Sequence, residues 1–203
     1  MRRGATLVEL LLFLAFFSLS TGVLTSFFLM TSEQRVHQQT IVTVEQSGVQ
    51  ILQTLGMRIR SAERVLVPVA GSSGTLLALQ LSDAALHPTI VGLSGSALYV
   101  GEENALKRIS STDVAIGNLV VRNTSVATDH PSVLIQFSVS RYVPLSNPIE
   151  YTRQFEALIP LFEDSVDNAP CSCAVPACVA GRFEWQYCLE DVCTDADVSL
   201  PCP

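Results

Sequence analysis

The chain has no proline before Pro68 and no cysteine before Cys171. Without proline, nothing in the first third of the chain forces a helix to break. Without early cysteines, disulfides and thiolate metal sites are confined to the C-terminal end. Histidine is scarce as well: His37, His87 and His130 are the only three, and the last two each precede a proline. None of them is spaced with a serine, cysteine or acid in a nucleophile or metal signature, and no glycine-rich phosphate loop is present. The expectation is therefore a protein with no catalytic residues, no resident metal and no cofactor. After Phe162 basic residues nearly vanish. Residues 161–203 hold eight acids against Arg182 alone, while residues 1–160 hold eleven acids and eleven bases, so the net charge of −7 resides in the tail. An acidic exposed segment repels phosphate backbones, and no nucleic-acid partner is expected.

What the chain does have is a long apolar N-terminal run. Met1-Arg2-Arg3-Gly4 leads into Ala5-Thr6-Leu7-Val8-Glu9-Leu10-Leu11 and an almost unbroken hydrophobic stretch to Met30, long enough to cross a bilayer at about 20 residues. Arg2 and Arg3 ahead of the span place the N-terminus in the cytoplasm and the remainder outside. One charge interrupts the run, Glu9. A carboxylate at the centre of a bilayer costs roughly 2.5 to 3.5 kcal/mol on insertion scales, so this residue needs a partner or a function. Two other accounts fit parts of the segment. A cleaved signal peptide would use Ser18-Leu19-Ser20 as its processing site, although the apolar stretch exceeds a normal signal core and runs on into helix. A capping box, Thr6 with Glu9, would satisfy Glu9 within an isolated helix.

The charged start, Gly4 and Thr6-Leu7-Val8-Glu9-Leu10-Leu11 before a long apolar helix resemble the class III signal of type IV pilins and type II secretion pseudopilins. The resemblance implies a leader of residues 1–4, removed by a prepilin peptidase at the Gly4–Ala5 bond with methylation of the new terminus. It implies that the helix is kept as the assembly element and that Glu9 pairs with the terminal amine of a neighbouring pilin subunit. Such a subunit waits in membrane lipid, at the inner membrane as a single-pass protein, and then enters a pilus or pseudopilus. Ala5 stands where the family's mature chain usually begins with phenylalanine, and the mid-helix proline of many major pilins is absent.

Beyond Met30 the helix is predicted to continue, because Val36, Ile41, Val44, Gly48, Ile51 or Leu52, Leu55 and Ile59 recur at spacings of three to five. The stripe would pack on a globular head or in a coiled coil, and the strands that follow favour a head. Period-two runs predict strands at Leu76–Leu81, Thr89–Leu93, Ala97–Val100, Ala105–Ile109, Asn118–Arg122, Val133–Arg141 and Ile149–Leu161. Ser94-Gly95-Ser96 and Gly101 to Asn104 read as turns, giving an antiparallel meander with one sheet against the helix. The predicted class is α+β: a long N-terminal apolar helix over residues 5–62, an antiparallel β-sheet head over 63–162 and a small acidic Cys-rich lobe over 163–203. Arg58-Ile59-Arg60-Ser61-Ala62, Ser73-Gly74-Thr75-Leu76-Leu77-Ala78-Leu79, Ser96-Ala97-Leu98-Tyr99-Val100 and Ala157-Leu158-Ile159-Pro160-Leu161 are similar to J-type minor pseudopilins and related minor pilins. That similarity implies a minor subunit, partnered by other major and minor pilins or pseudopilins.

The lobe carries Cys171, Cys173, Cys178, Cys188, Cys193 and Cys202. Outside the cytoplasm thiols oxidise, so disulfides are expected, with the pairing open except that Cys171 and Cys173 are too close for an easy mutual bridge. Zinc is the rival, weakened by the lack of histidine and of paired Cys-x-x-Cys spacing. Asp195 and Asp197, with Glu190 and Asp191 nearby, could offer oxygens to calcium but do not complete an EF-hand loop; a solvated acidic face is the simpler account. Phe183, Trp185 and Tyr187 alternate with polar residues on a predicted strand. They form either the lobe's small core or a row that grips a ligand, and the second option makes the chain a membrane-anchored or pilus-borne adhesin.

Overall fold

The computed structural model describes residues 7–81, 83, 86–125, 131–145, 148–162, 173–189 and 192–202, without the side chains of Leu29 and Glu33. It has the α+β architecture expected. The chain divides into two compact units, Met1–Val42 and Thr43–Pro203.

Helix α1 runs from Leu7 to Arg60. No proline interrupts it, and Arg58 and Arg60 in its last turn complement the negative end of the helix dipole. From Thr43 onward its apolar stripe is the core of the second unit. Val44, Ile51, Leu55 and Ile59 are each at most 1% exposed. Gly48 belongs to the same face: a β-carbon there would stand 2.1 Å from the ring of Phe155, so the ring lies directly on the helix backbone. The missing side chain makes this close approach possible.

The strands are β1 (Arg64–Val67), β2 (Ser73–Gly74), β3 (Leu76–Gln80), β4 (Thr89–Ser94), β5 (Ala97–Glu102), β6 (Ala105–Arg108), β7 (Ala115–Asn123), β8 (Ser132–Val143) and β9 (Ile149–Pro160), followed in the tail by β10 (Ala177–Val179), β11 (Arg182–Glu184), β12 (Gln186–Leu189), β13 (Val192–Asp195) and β14 (Leu200–Pro201). All pairings are antiparallel. The head holds two sheets where the sequence suggested one, in the orders β1-β3-β4-β5-β6 and β2-β7-β8-β9. The meander ends at β6, and β7 returns to pair with β2 instead.

Val133, Ile135, Phe137 and Val139 of β8 are all buried on one face, and Phe155 and Ile159 of β9 face the same core, as the alternation indicated. Helix and second sheet are tied at the periphery by Arg141, whose Nη1 donates to Thr43 Oγ1 at 2.6 Å, and by Arg153, which pairs with Glu45. Arg58 meets Glu102 at 2.7 Å and so joins the end of α1 to the first sheet. Gly101 lies inside β5, not in the turn; the turn is Glu103-Asn104, with Glu103 at φ 50°.

The first sheet is buried on both faces. Leu77, Leu79, Val91, Leu98 and Val100 join the helix core, while Leu76, Ala78 and Ile90 point the other way and are covered by Phe183, Trp185 and Leu200 of the tail. Every residue of β3 is consequently buried. The Cys-rich segment therefore shares its apolar core with the head.

Candidate functional site

Two regions hold the candidate functional residues. In the first, α1 from Leu7 to Met30, every described large apolar side chain is exposed, from 52% at Leu14 to 76% at Leu7. A soluble helix keeps one polar face; this one is apolar all round, as a helix surrounded by lipid or by other helices must be. It is long and apolar enough to span a bilayer. Four hydroxyls in and just after this stretch bond to the helix's own backbone. Thr21 donates to Phe17 O at 2.8 Å, Thr25 to Thr21 O at 2.8 Å, Ser26 to Gly22 O at 3.0 Å and Thr31 to Phe27 O at 2.9 Å. Such bonds to the preceding turn remove the desolvation cost of a hydroxyl in hydrocarbon. Glu9 lies in the first turn of this helix and is exposed. Its carboxylate favours the helix N-terminus electrostatically, yet no cation of the described residues pairs with it. Gly4, Ala5 and Thr6 lie outside the described residues.

The second region is the tail. Cys173 bonds to Cys193 and Cys178 to Cys202, with Cα separations of 5.5 and 6.1 Å. Cys188 is disulfide-bonded too, while Cys171 lies outside the described residues. Among the described residues no cysteine is free, so none is available as a zinc thiolate. Cys188 and Cys193 sit opposite each other in the β12–β13 ladder but are not joined to each other, a pairing that sequence spacing could not convey.

The aromatic row does not occupy a single strand. The chain leaves β11 at Glu184 and enters β12 at Gln186, in a different sheet, so that Trp185 sits at the junction. Phe183 and Trp185 are each 3% exposed and packed on the first sheet. The indole rests on Gly101, where an added β-carbon would approach it to 3.1 Å, and its Nε1 donates to Glu103 O at 2.8 Å. Tyr187 is half-buried. Two of the three rings are thus internal packing against the head and offer no surface for stacking.

Of the acids suggested for calcium, the two among the described residues are hydrogen-bonded to side-chain amides. Asp197 accepts from Asn104 Nδ2 at 3.0 Å while its own N–H donates to Asn104 Oδ1 at 2.7 Å, and Asp195 accepts from Gln186 Nε2 at 2.9 Å. Glu190 and Asp191 lie outside the described residues. A cleft of about 280 Å³ opens beside these groups, walled by Val175, Val179, Arg182, Gln186 and Val198. Among the described residues no three histidine, cysteine or carboxylate groups converge in a metal-binding arrangement.

His87 is 5% exposed, and its Nδ1 has no hydrogen-bond partner among the described residues. Burial pushes its pKa below the ordinary imidazole value, and nearby Arg64 adds to this, against an opposing pull from Glu63. A lowered pKa means that the folded protein holds a neutral ring while the unfolded chain takes up a proton near pH 6.5. The stabilisation is complete above about pH 6.5 and is lost as the pH falls from there through the folded-state pKa. Denaturant titrations of the wild type from pH 8 to 5 should show a decline in the acid limb that His87→Leu lessens; an identical decline in the variant would assign it to other groups.

No family model, curated protein or solved structure matches this chain.

Proposed function

We propose that the protein is a minor pilin or pseudopilin, a structural subunit held in the cytoplasmic membrane by α1 and assembled through that helix into a type IV pilus or a type II secretion pseudopilus. The observation that carries this is the apolar surface of Leu7–Met30, exposed on every side, with the single carboxylate of Glu9 in its first turn. In a simple anchor that charge would serve only the helix N-terminus, whereas in a helix meant to meet another chain's ammonium it supplies the pairing partner. The prepilin-like residues ahead of it, Gly4 and Ala5, supply the processing bond on this account. The head stays outside the cytoplasm, where the disulfides of its tail are stable. The partners are a prepilin peptidase and then other major and minor subunits. No turnover chemistry is assigned.

The mass of the N-terminal peptide, measured after expression with and without a prepilin peptidase, tests this. Loss of Met1 to Gly4 only when the peptidase is present is the expected result, with or without one added methyl on Ala5. Processing near Ser20, or none with the peptidase active, would overturn the assignment.

A further inference from the structure

Among the described residues four sheet edges border the head, and three are short or interrupted. Strand β1 has a register shift between Val65 and Val67, β6 spans four residues including Lys107 and Arg108, and β2 spans two. These are the usual ways of blunting an edge. Strand β9 differs. Its twelve residues pair with β8 without a register break from Ile149 to Pro160, an edge about 40 Å long.

Which groups of β9 are unpaired follows from one bond. Leu161 N–H donates to Pro131 O, and in an antiparallel ladder bonded residues alternate. The odd-numbered residues 149 to 159 therefore face β8, and the N–H and C=O groups of Glu150, Thr152, Gln154, Glu156 and Leu158 point to the other side, where no strand of the described residues pairs with them. These five residues are also exposed. Their side chains share the outer face of the sheet, since the opposite face carries Phe155 and Ile159 into the core. Glu150 and Glu156, about 20 Å apart, have no cationic partner among the described residues. Leu158, 62% exposed, lies beside its cross-strand partner Leu134 at the end of the row.

We propose that β9 is a strand-addition site for an extended polypeptide segment carrying basic residues opposite Glu150 and Glu156 and an apolar residue opposite Leu158. The open backbone groups supply affinity and the two carboxylates supply selectivity. Strands β9 and β6 of a second copy do not fit the role, because its β9 brings the same two carboxylates and its four-residue β6 carries Lys107 and Arg108 at adjacent positions, not six residues apart. The site lies on the outer row of β9 in the second unit and Glu9 lies in the first, so Glu9 variants should leave it unchanged, and this site and the proposed filament role stand or fall independently.

The test uses the full-length protein in detergent micelles and the labelled peptide Val-Thr-Lys-Thr-Thr-Val-Thr-Thr-Lys, against the same peptide with glutamate at both lysine positions. Fluorescence anisotropy at low salt should show saturable binding of the lysine peptide, about tenfold tighter than of the glutamate peptide. Amide exchange should show Thr152, Gln154, Glu156 and Leu158 unprotected in the free protein and protected in the complex, with residues 151, 153, 155 and 157 protected in both. Gln154→Pro, which removes only an outward N–H, should abolish binding. If that variant misfolds, the double replacement Glu150→Gln and Glu156→Gln should retain the fold and lose the preference for lysine. Equal affinity for the two peptides, no saturable binding, or even-numbered amides already protected in the free protein would overturn the proposal.

Discussion

Glu9→Ala is expected to leave the protein inserted in the membrane at wild-type abundance and to reduce its recovery in sheared filaments at least about tenfold. The two halves of that expectation come from opposite energetic effects. In a lone subunit, on the role proposed, a carboxylate near the end of the span is unfavourable by less than the roughly 2.5 to 3.5 kcal/mol of the bilayer centre, so its removal makes the membrane-inserted form no worse. In the assembled state the same carboxylate would face a neighbour's terminal ammonium, where breaking the pair leaves a buried charge uncompensated at a cost of about 3 to 5 kcal/mol. Immunoblots of membrane and filament fractions separate these effects. Glu9→Asp, with the charge retained on a shorter stem, should recover part of the incorporation. Normal filament levels of Glu9→Ala would remove the role assigned to this residue, and loss from both fractions would indicate a defect in insertion instead.

The second large effect is expected at Trp185. Truncation to alanine removes the biggest side chain from the cluster between the first sheet and the tail, empties the niche above Gly101 and deprives Glu103 O of its donor. Losses of this kind cost about 3 to 5 kcal/mol, which should lower the thermal midpoint of the head by on the order of 10 °C. Because the cluster includes Leu76, Ala78 and Ile90 from the head, the whole second unit should be destabilised, and not the tail alone. Circular dichroism of the oxidised protein would show it as a shift of the main transition. An unchanged main transition, with a separate low-temperature step, would mean that the tail folds as an independent lobe. Gly101→Val approaches the same contact from the other side and should produce a similar loss by displacing the indole.

The seven strands placed from sequence, from Leu76 to Leu161, all exist, because each combines apolar alternation or a β-branched run with turn chemistry at its ends. What pairs with what was less legible. Nothing local in Asn118 to Arg122 announces that β7 abandons the meander for β2, since this depends on contacts distant in sequence. The double burial of the first sheet did leave a trace. Leu76-Leu77-Ala78-Leu79 and Thr89-Ile90-Val91-Gly92-Leu93 are continuous apolar runs, the pattern of a strand covered on both faces, whereas β8 and β9 alternate. Reading those runs would have called for a second layer, which the tail provides. The aromatic row misled because period two is a property of one strand, and Trp185 lies between two. At the N-terminal site, the apolar run and Glu9 were plain from composition alone. Burial of His87 was hidden, because a histidine before a proline looks like a loop residue until its neighbours are placed.

Leu200 sits 1% exposed against the sheet, close enough to Gly92 that a β-carbon there would meet it at 3.1 Å, and β14 pairs with β11. This contact joins residues far apart in sequence, with consequences for the order in which the domain forms. The helix core and both head sheets contain all their residues once the chain has reached Phe162, yet the outer layer of Leu76, Ala78 and Ile90 stays open to water until the stretch ending at Leu200 folds back over it. Until then the head presents a ready surface for wrong partners, and a chain interrupted between these points would be sticky rather than merely shorter.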